Sequence, residues 1–174
     1  GYSTKTTVTE QNGTNTVTTF DAATHYPLTE TVGSGSPSAS TTSYVRDAVG
    51  HATSITDSLG RKTTFVYDSA GNVTNLVKLS GTSASASWAY SFNDKSLLTG
   101  VKDPLGHITQ MSYTAGCLTS LTDALNKVTH ITCNAVGLPL VITDPLGHQV
   151  THTYSGSNLR TLSDGSGRTT SFTR

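Results

Sequence analysis

The chain has 174 residues, a formal net charge of zero, 34% hydrophobic residues and only 13% charged ones. A neutral chain has no basic field with which to recruit nucleic acid or an anionic membrane surface, so neither is expected as a partner. No apolar run approaches the ~20 residues of a membrane-spanning helix, so insertion is not expected either.

Few Lys and Glu residues and an abundance of Thr, Val and Tyr favour strands over helices. The sequence begins at Gly1 with no charged-then-apolar leader, and reads as a processed chain or a piece of a longer one. Its Thr- and Ser-rich, charge-poor character suits a secreted or cell-surface setting.

In chain order, residues 1–19 form a first hairpin, with Thr-Val runs flanking Asn12-Gly13 as a type I′ turn. Residues 20–174 then fall into about seven units of roughly 20–22 residues. Each unit holds an anchor, and the series runs Phe20, Arg46, Tyr67, Phe92, Tyr113, Cys133 and Tyr154. Between anchors lie turns at Asp57–Gly60, Asp103-Pro104-Leu105-Gly106, Asp123–Asn126, Asp144-Pro145-Leu146-Gly147 and Asp164–Gly167. From Asp57, Asp103, Asp123 and Asp144 the next anchor follows ten residues on. The segments 103–123 and 144–164 repeat one pattern over 21 residues.

Each turn residue has a mechanical role. Asp accepts a hydrogen bond from an amide two residues on, Pro sets φ at the second position, and Gly or Asn supplies positive φ at the fourth. The five to seven residues between turns are rich in β-branched side chains, as in Lys127–Cys133. The sequence therefore predicts an all-β chain of tandem antiparallel β-hairpins. Two Ser-rich stretches, 33–43 and 80–87, stand where an Asp-type turn belongs and are expected as flexible loop expansions on one side of the sheet.

Three residues turning between Asp123 and Lys127 would make paired residue numbers sum to 250, with Thr129 opposite Leu121 and Cys133 opposite Cys117. The same rule sets Tyr113 opposite Leu97 and Tyr154 opposite Leu138. Strict alternation then gathers Phe65, Tyr67, Met111, Tyr113, Ile131, Ile142 and Tyr154 on one face. It leaves Val73, Val77, Leu118, Val141 and Leu162 on the other, so that both faces are moderately wet. Facing each other on adjacent strands, Cys117 and Cys133 can form a disulfide worth roughly 3 kcal/mol. In the alternative, Cys133 replaces a core Tyr and Cys117 packs nearby.

The motif Tyr67-Asp68-Ser69-Ala70-Gly71-Asn72-Val73, alternating with Asp57-Ser58-Leu59-Gly60-Arg61 and Asp164-Gly165-Ser166-Gly167-Arg168, resembles the RHS/YD-repeat family over roughly residues 20–174. That resemblance implies hairpins stacked into one curved or spiralling sheet. In bacterial toxin complexes, polymorphic toxins and teneurin-type adhesion proteins, such a sheet closes into a hollow shell. It implies a scaffolding role with no catalytic, cofactor or metal site. The implied partners are other repeats through the sheet edges, an encapsulated toxin, or a cell-surface glycan or protein. A self-assembling filament and a glycan-binding adhesin are the alternative readings.

The chemical candidates read as structural. Some members of the family release cargo through paired aspartates, but Asp103 and Asp144 sit 41 residues apart at ordinary turns, and carboxylates sharing a proton must nearly touch. His51, His107 and His148 each follow a turn glycine, a polar strand-entry position also held by Arg61, Lys127 and Arg168. Trp88 and Tyr90, beside the second Ser-rich loop, are the candidate glycan-stacking residues, with packing against the neighbouring hairpin as the competing role.

Overall fold

The computed structural model describes residues 4–173; the ends of the 1–19 hairpin and of the 20–174 repeat array reach past that range at residues 1–3 and 174. The described residues contain sixteen strands and no helix. They are β1 (Lys5–Thr9), β2 (Asn15–Phe20), β3 (Pro27–Val32), β4 (Ser40–Arg46), β5 (Ala52–Thr56), β6 (Lys62–Tyr67), β7 (Val73–Lys78) and β8 (Ala86–Phe92). There follow β9 (Leu98–Lys102), β10 (Ile108–Thr114), β11 (Cys117–Thr122), β12 (Val128–Cys133), β13 (Pro139–Thr143), β14 (Gln149–Ser155), β15 (Asn158–Ser163) and β16 (Thr169–Ser171). The strands form one antiparallel sheet in the order of the sequence. The expected tandem hairpins are therefore present. The chain divides into two compact units, one through Ala89 and one from Tyr90 onward.

The register follows from turn length. Between β11 and β12, Ser120 faces His130, Leu121 faces Thr129 and Thr122 faces Val128, so every pair sums to 250. Between β9 and β10 Thr109 faces Val101, and between β13 and β14 Val150 faces Ile142, in the registers expected for Tyr113 and Tyr154.

Every anchor strand with a resolved ladder shifts register at its anchor. The shift falls at Thr19/Phe20, Val45/Arg46, Val66/Tyr67, Ser112/Tyr113, Thr132/Cys133 and Thr153/Tyr154. One extra residue on the partner strand bulges there, which bends the strand and raises its local twist. The shift corrects the expected faces. Tyr67 pairs with Val73, Tyr113 with Leu118, and His152, two residues before Tyr154, with Leu162. Directly opposed residues point to the same side of a sheet, so Val73, Leu118 and Leu162 join the anchor face. Val77 and Val141 stay opposite, paired with Thr64 and Thr132.

The two faces differ in burial. Along β10 and β14 the anchor-face residues Thr109, Met111, Tyr113, Val150, His152 and Tyr154 are half-buried, while their neighbours in the strand are exposed. The face opposite the anchors is laddered by hydroxyls, with Thr19 bonded to Thr29 at 2.6 Å, Thr31 to Thr41 at 2.9 Å, and Thr153 to Thr161 at 2.6 Å. Among the described residues only Ser54, Gly100 and Cys117 are buried, none of them a large side chain. A domain closed around a core buries many large side chains; this sheet is a single layer.

Two local expectations are corrected. Asn12-Gly13 is not a type I′ turn, which needs positive φ at both central residues. Gly13 has φ 81° but Asn12 does not join it, and the loop spans Glu10 to Thr14, closed by Glu10 N–H donating to the Thr14 carbonyl at 2.9 Å. The type I′ pattern occurs instead after Tyr113, at Ala115 (φ 50°) and Gly116 (φ 85°). The Ser-rich stretches, expected over 33–43 and 80–87, are shorter than that and are built alike from internal bonds. Ser36 N–H donates to Gly33 and Ala39 N–H to Ser36, just as Thr82 donates to Leu79 and Ser85 to Thr82. Residues 40–43 and 86–87 already belong to β4 and β8.

Candidate functional site

One turn structure recurs at the front of five hairpins and after four of the anchors, Arg46, Tyr67, Phe92 and Cys133. It occurs nine times among the described residues, starting at Asp47, Asp57, Asp68, Asn93, Asp103, Asp123, Asn134, Asp144 and Asp164. The first residue's N–H donates to the carbonyl of the fifth, and the fourth donates back to the carbonyl of the first. The side-chain Oδ1 accepts from the amides of the third and fifth residues, as Asp103 does from Leu105 and His107, both at 2.9 Å. The amide two residues on was expected from the sequence; the one four residues on is the further contact. The fourth residue has positive φ throughout, whether it is Gly106 (89°), Asn126 (60°) or Ser96 (56°).

The free carboxylate oxygen takes the strand-entry side chain. Asp57 Oδ2 accepts from Arg61 Nε at 2.6 Å and Asp164 from Arg168 Nε at 2.8 Å. Asp103 meets His107 Nδ1, and Asp144 meets His148 Nδ1, each at 2.8 Å. The histidine contact, opposed by desolvation and reinforced by the two backbone amides, holds the Asp103 and Asp144 carboxyls below the ordinary value. For Asp164 the Arg168 amide leads, followed by its guanidinium.

These aspartates do not meet. Asp103 and Asp144 open turns four strands apart on one edge of the sheet, roughly 19 Å at the usual strand spacing. The histidines are likewise dispersed. His51 contacts Asp47 and stacks on Tyr67 with ring centroids 4.6 Å apart. Among the described residues no three His, Cys, Asp or Glu side chains gather as metal ligands. Trp88 faces Leu76 on β7 and has Lys78 Nζ 5.6 Å from its ring; Tyr90 lies two residues along β8.

The anchors reveal a contact that sequence reading missed. Tyr67 Oη donates to the carbonyl of Ala52 at 2.8 Å, and Tyr154 Oη to the carbonyl of Pro139 at 3.0 Å. Each acceptor faces the previous anchor, Ala52 opposite Arg46 and Pro139 opposite Cys133. Arg46, standing where others have Tyr, reaches the equivalent carbonyl of Pro27 through Nε at 3.4 Å; Pro27 faces Phe20. Its guanidinium also donates to Gly50 O at 2.9 Å and lies over the rings of Tyr26 and Tyr44. Cys133 is joined by a disulfide to Cys117, beside Leu118, the residue facing Tyr113. Phenol, guanidinium and disulfide thus do one job: each ties an anchor to the start of the strand leaving the preceding turn. The two phenols share a spacing of 15 residues to their acceptors, a signal invisible without the fold.

An open sheet of identical turns and recurrent tethers defines a tandem β-hairpin repeat protein. Residues 46–83 match the family model described as RHS Repeat. No curated protein matches the chain. Among solved structures it is similar to TcdB2-TccC3, with a TM-score of 0.75, 11% identity, 94% of this chain covered and 10% of that one. The same complex without its hypervariable C-terminal region gives 0.71, 12%, 92% and 10%. TcdB2-TccC3-Cdc42 gives 0.61, 14%, 97% and 13%. The chain therefore spans only about a tenth of the solved chains it resembles.

Proposed function

We propose that the chain is a wall segment of a secreted or surface-exposed shell, enclosing a cargo such as a toxin and doing no chemistry itself. The observation that carries this reading is the single-layer sheet. Each strand neighbours those adjacent in sequence, and only Ser54, Gly100 and Cys117 are buried among the described residues. Such a sheet makes a partition with two distinct surfaces, one half-apolar and one hydroxylated. The turn carboxylates are each committed to two amides and, at most turns, a neighbouring side chain. A group so committed stays ionised and is held away from other reactive groups.

Electron microscopy of the purified chain tests this reading. Discrete particles are expected. Filaments or tubules would replace the wall segment with a self-assembling fibre, and glycan-array binding abolished by Trp88→Ala would replace it with an adhesin.

A further inference from the structure

Of the tethers that tie an anchor to the preceding hairpin, one differs in kind from the rest. Tyr67 and Tyr154 reach the carbonyls of Ala52 and Pro139 by hydrogen bonds, each 15 residues back. The same spacing counted back from Cys133 leads to Leu118, which faces Tyr113. Cys133 is bonded instead to Cys117, the residue before it. The Sγ of Cys117 lies 3.3 Å from the Leu118 carbonyl oxygen. In the disulfide that sulfur has no hydrogen to donate; as a thiol it has one, and the acceptor already stands beside it. Both redox states therefore complete this corner. The oxidised one does so by a covalent link from β12 to β11, the reduced one by a bond kept within β11.

The surroundings admit a small reductant. The pair stands at one edge of a single-layer sheet, between the exposed Ala115-Gly116 turn and the exposed residues Ala135, Val136 and Gly137. Cys133 is half-buried, whereas Cys117 is only 8% exposed. Disulfides open to solvent are the ones that exchange readily.

We propose that Cys117–Cys133 is a reducible latch, closed in an oxidising medium and opened by a low-molecular-weight thiol such as glutathione. A thiolate attacks Cys133 Sγ, the S–S bond breaks, and Cys117 departs, is protonated and donates its S–H to the Leu118 carbonyl. A second thiol attacks the mixed disulfide and releases Cys133. The protein gains two electrons and two protons, and two reductant thiols become one disulfide. The link between β11 and β12 is then lost, while the tethers at Arg46, Tyr67 and Tyr154, which no thiol can cut, hold the other hairpins. The latch does not depend on the wall reading; on that reading, it is where the wall yields on entering a reducing compartment.

Hydrogen exchange on the full chain in two glutathione buffers, one mostly oxidised and one mostly reduced, tests it, with thiol alkylation reporting the redox state. In the reduced buffer both cysteines are expected to be alkylated under native conditions. Circular dichroism stays unchanged, and protection across β11 to β13 falls by about tenfold or more. Protection in β4 to β7 holds, and return to the oxidised buffer restores what was lost. A glutathione adduct trapped during the exchange is expected on Cys133. Cys117→Ser with Cys133→Ser has no bond to lose and should exchange alike in both buffers. A disulfide that survives the reduced buffer overturns the proposal, as does reduction that leaves protection unchanged or loosens the whole sheet. So does an adduct found on Cys117, or a redox response in the double variant.

Discussion

Replacing both cysteines isolates the tether. The Cys117–Cys133 bond closes a loop with a sequence separation of 16. The chain-entropy relation then gives about 10 cal/mol/K, or about 3 kcal/mol at room temperature. Cys117→Ser with Cys133→Ser should lose about that much. If the disulfide is a covalent form of the tether, Cys117→Ser with Cys133→Tyr recovers part of it, since the new phenol can reach the Leu118 carbonyl. One hydrogen bond is worth about 1 kcal/mol net, so the tyrosine variant should exceed the matching Cys133→Phe variant by about that amount. Amide hydrogen exchange is the suitable assay, because a repeat sheet need not unfold in one step and each hairpin contacts only its neighbours. Protection should fall across β11 to β13 and hold in β4 to β7. Equal protection in the tyrosine and phenylalanine variants, or a loss spread over the whole sheet, would refute the tether.

Ser96 holds φ 56° where the eight equivalent turns all have Gly or Asn; left-handed backbone costs a side chain about 1–2 kcal/mol, so Ser96→Gly should raise stability by about 1 kcal/mol in urea titration. The depressed carboxyls of Asp103, Asp144 and Asp164 set an acid limit. Their folded values lie below 3.8, so the unfolded chain binds protons first; their contribution is complete above that value and is lost as pH falls through the folded one. Acid titration by circular dichroism should show weakening from about pH 4 downward. Asp144→Asn should keep the turn, as Asn93 and Asn134 do, and flatten that acid dependence. Tyr67→Phe should cost about 1 kcal/mol by removing the bond to Ala52, read as faster exchange in β5 and β6.

What could be read in advance was what the turn chemistry controls. An aspartate, a two-residue gap and a residue of positive φ set the loop length, and loop length sets the register; hence Leu121 faces Thr129 as expected. The misreadings arose where one residue is added. Counting alternation through the bulge at Tyr67 sent Val73 to the wrong face, because periodicity carries no mark for an unpaired residue. Asn12-Gly13 carries a strong short-range turn signal, yet the Glu10–Thr14 bond closes a longer loop. The tethers were hidden for another reason. Tyr67 and Ala52 lie on paired strands, but nothing local to either residue says that a hydroxyl will end on a carbonyl.

If the sheet is a wall of interchangeable hairpins, one hairpin can be removed without loss of the rest. Deleting residues 123–143, with Cys117→Ser, joins Thr122 to Asp144 and removes β12 and β13. The shortened turn sequence is another copy of the same five-residue device, and Thr122 should face Gln149 as it now faces Val128. Hydrogen exchange on this deletion should find β11 and β14 protected and the remaining strands unchanged. A chain that loses protection throughout would show that the fold depends on a global arrangement and contradict the modular wall.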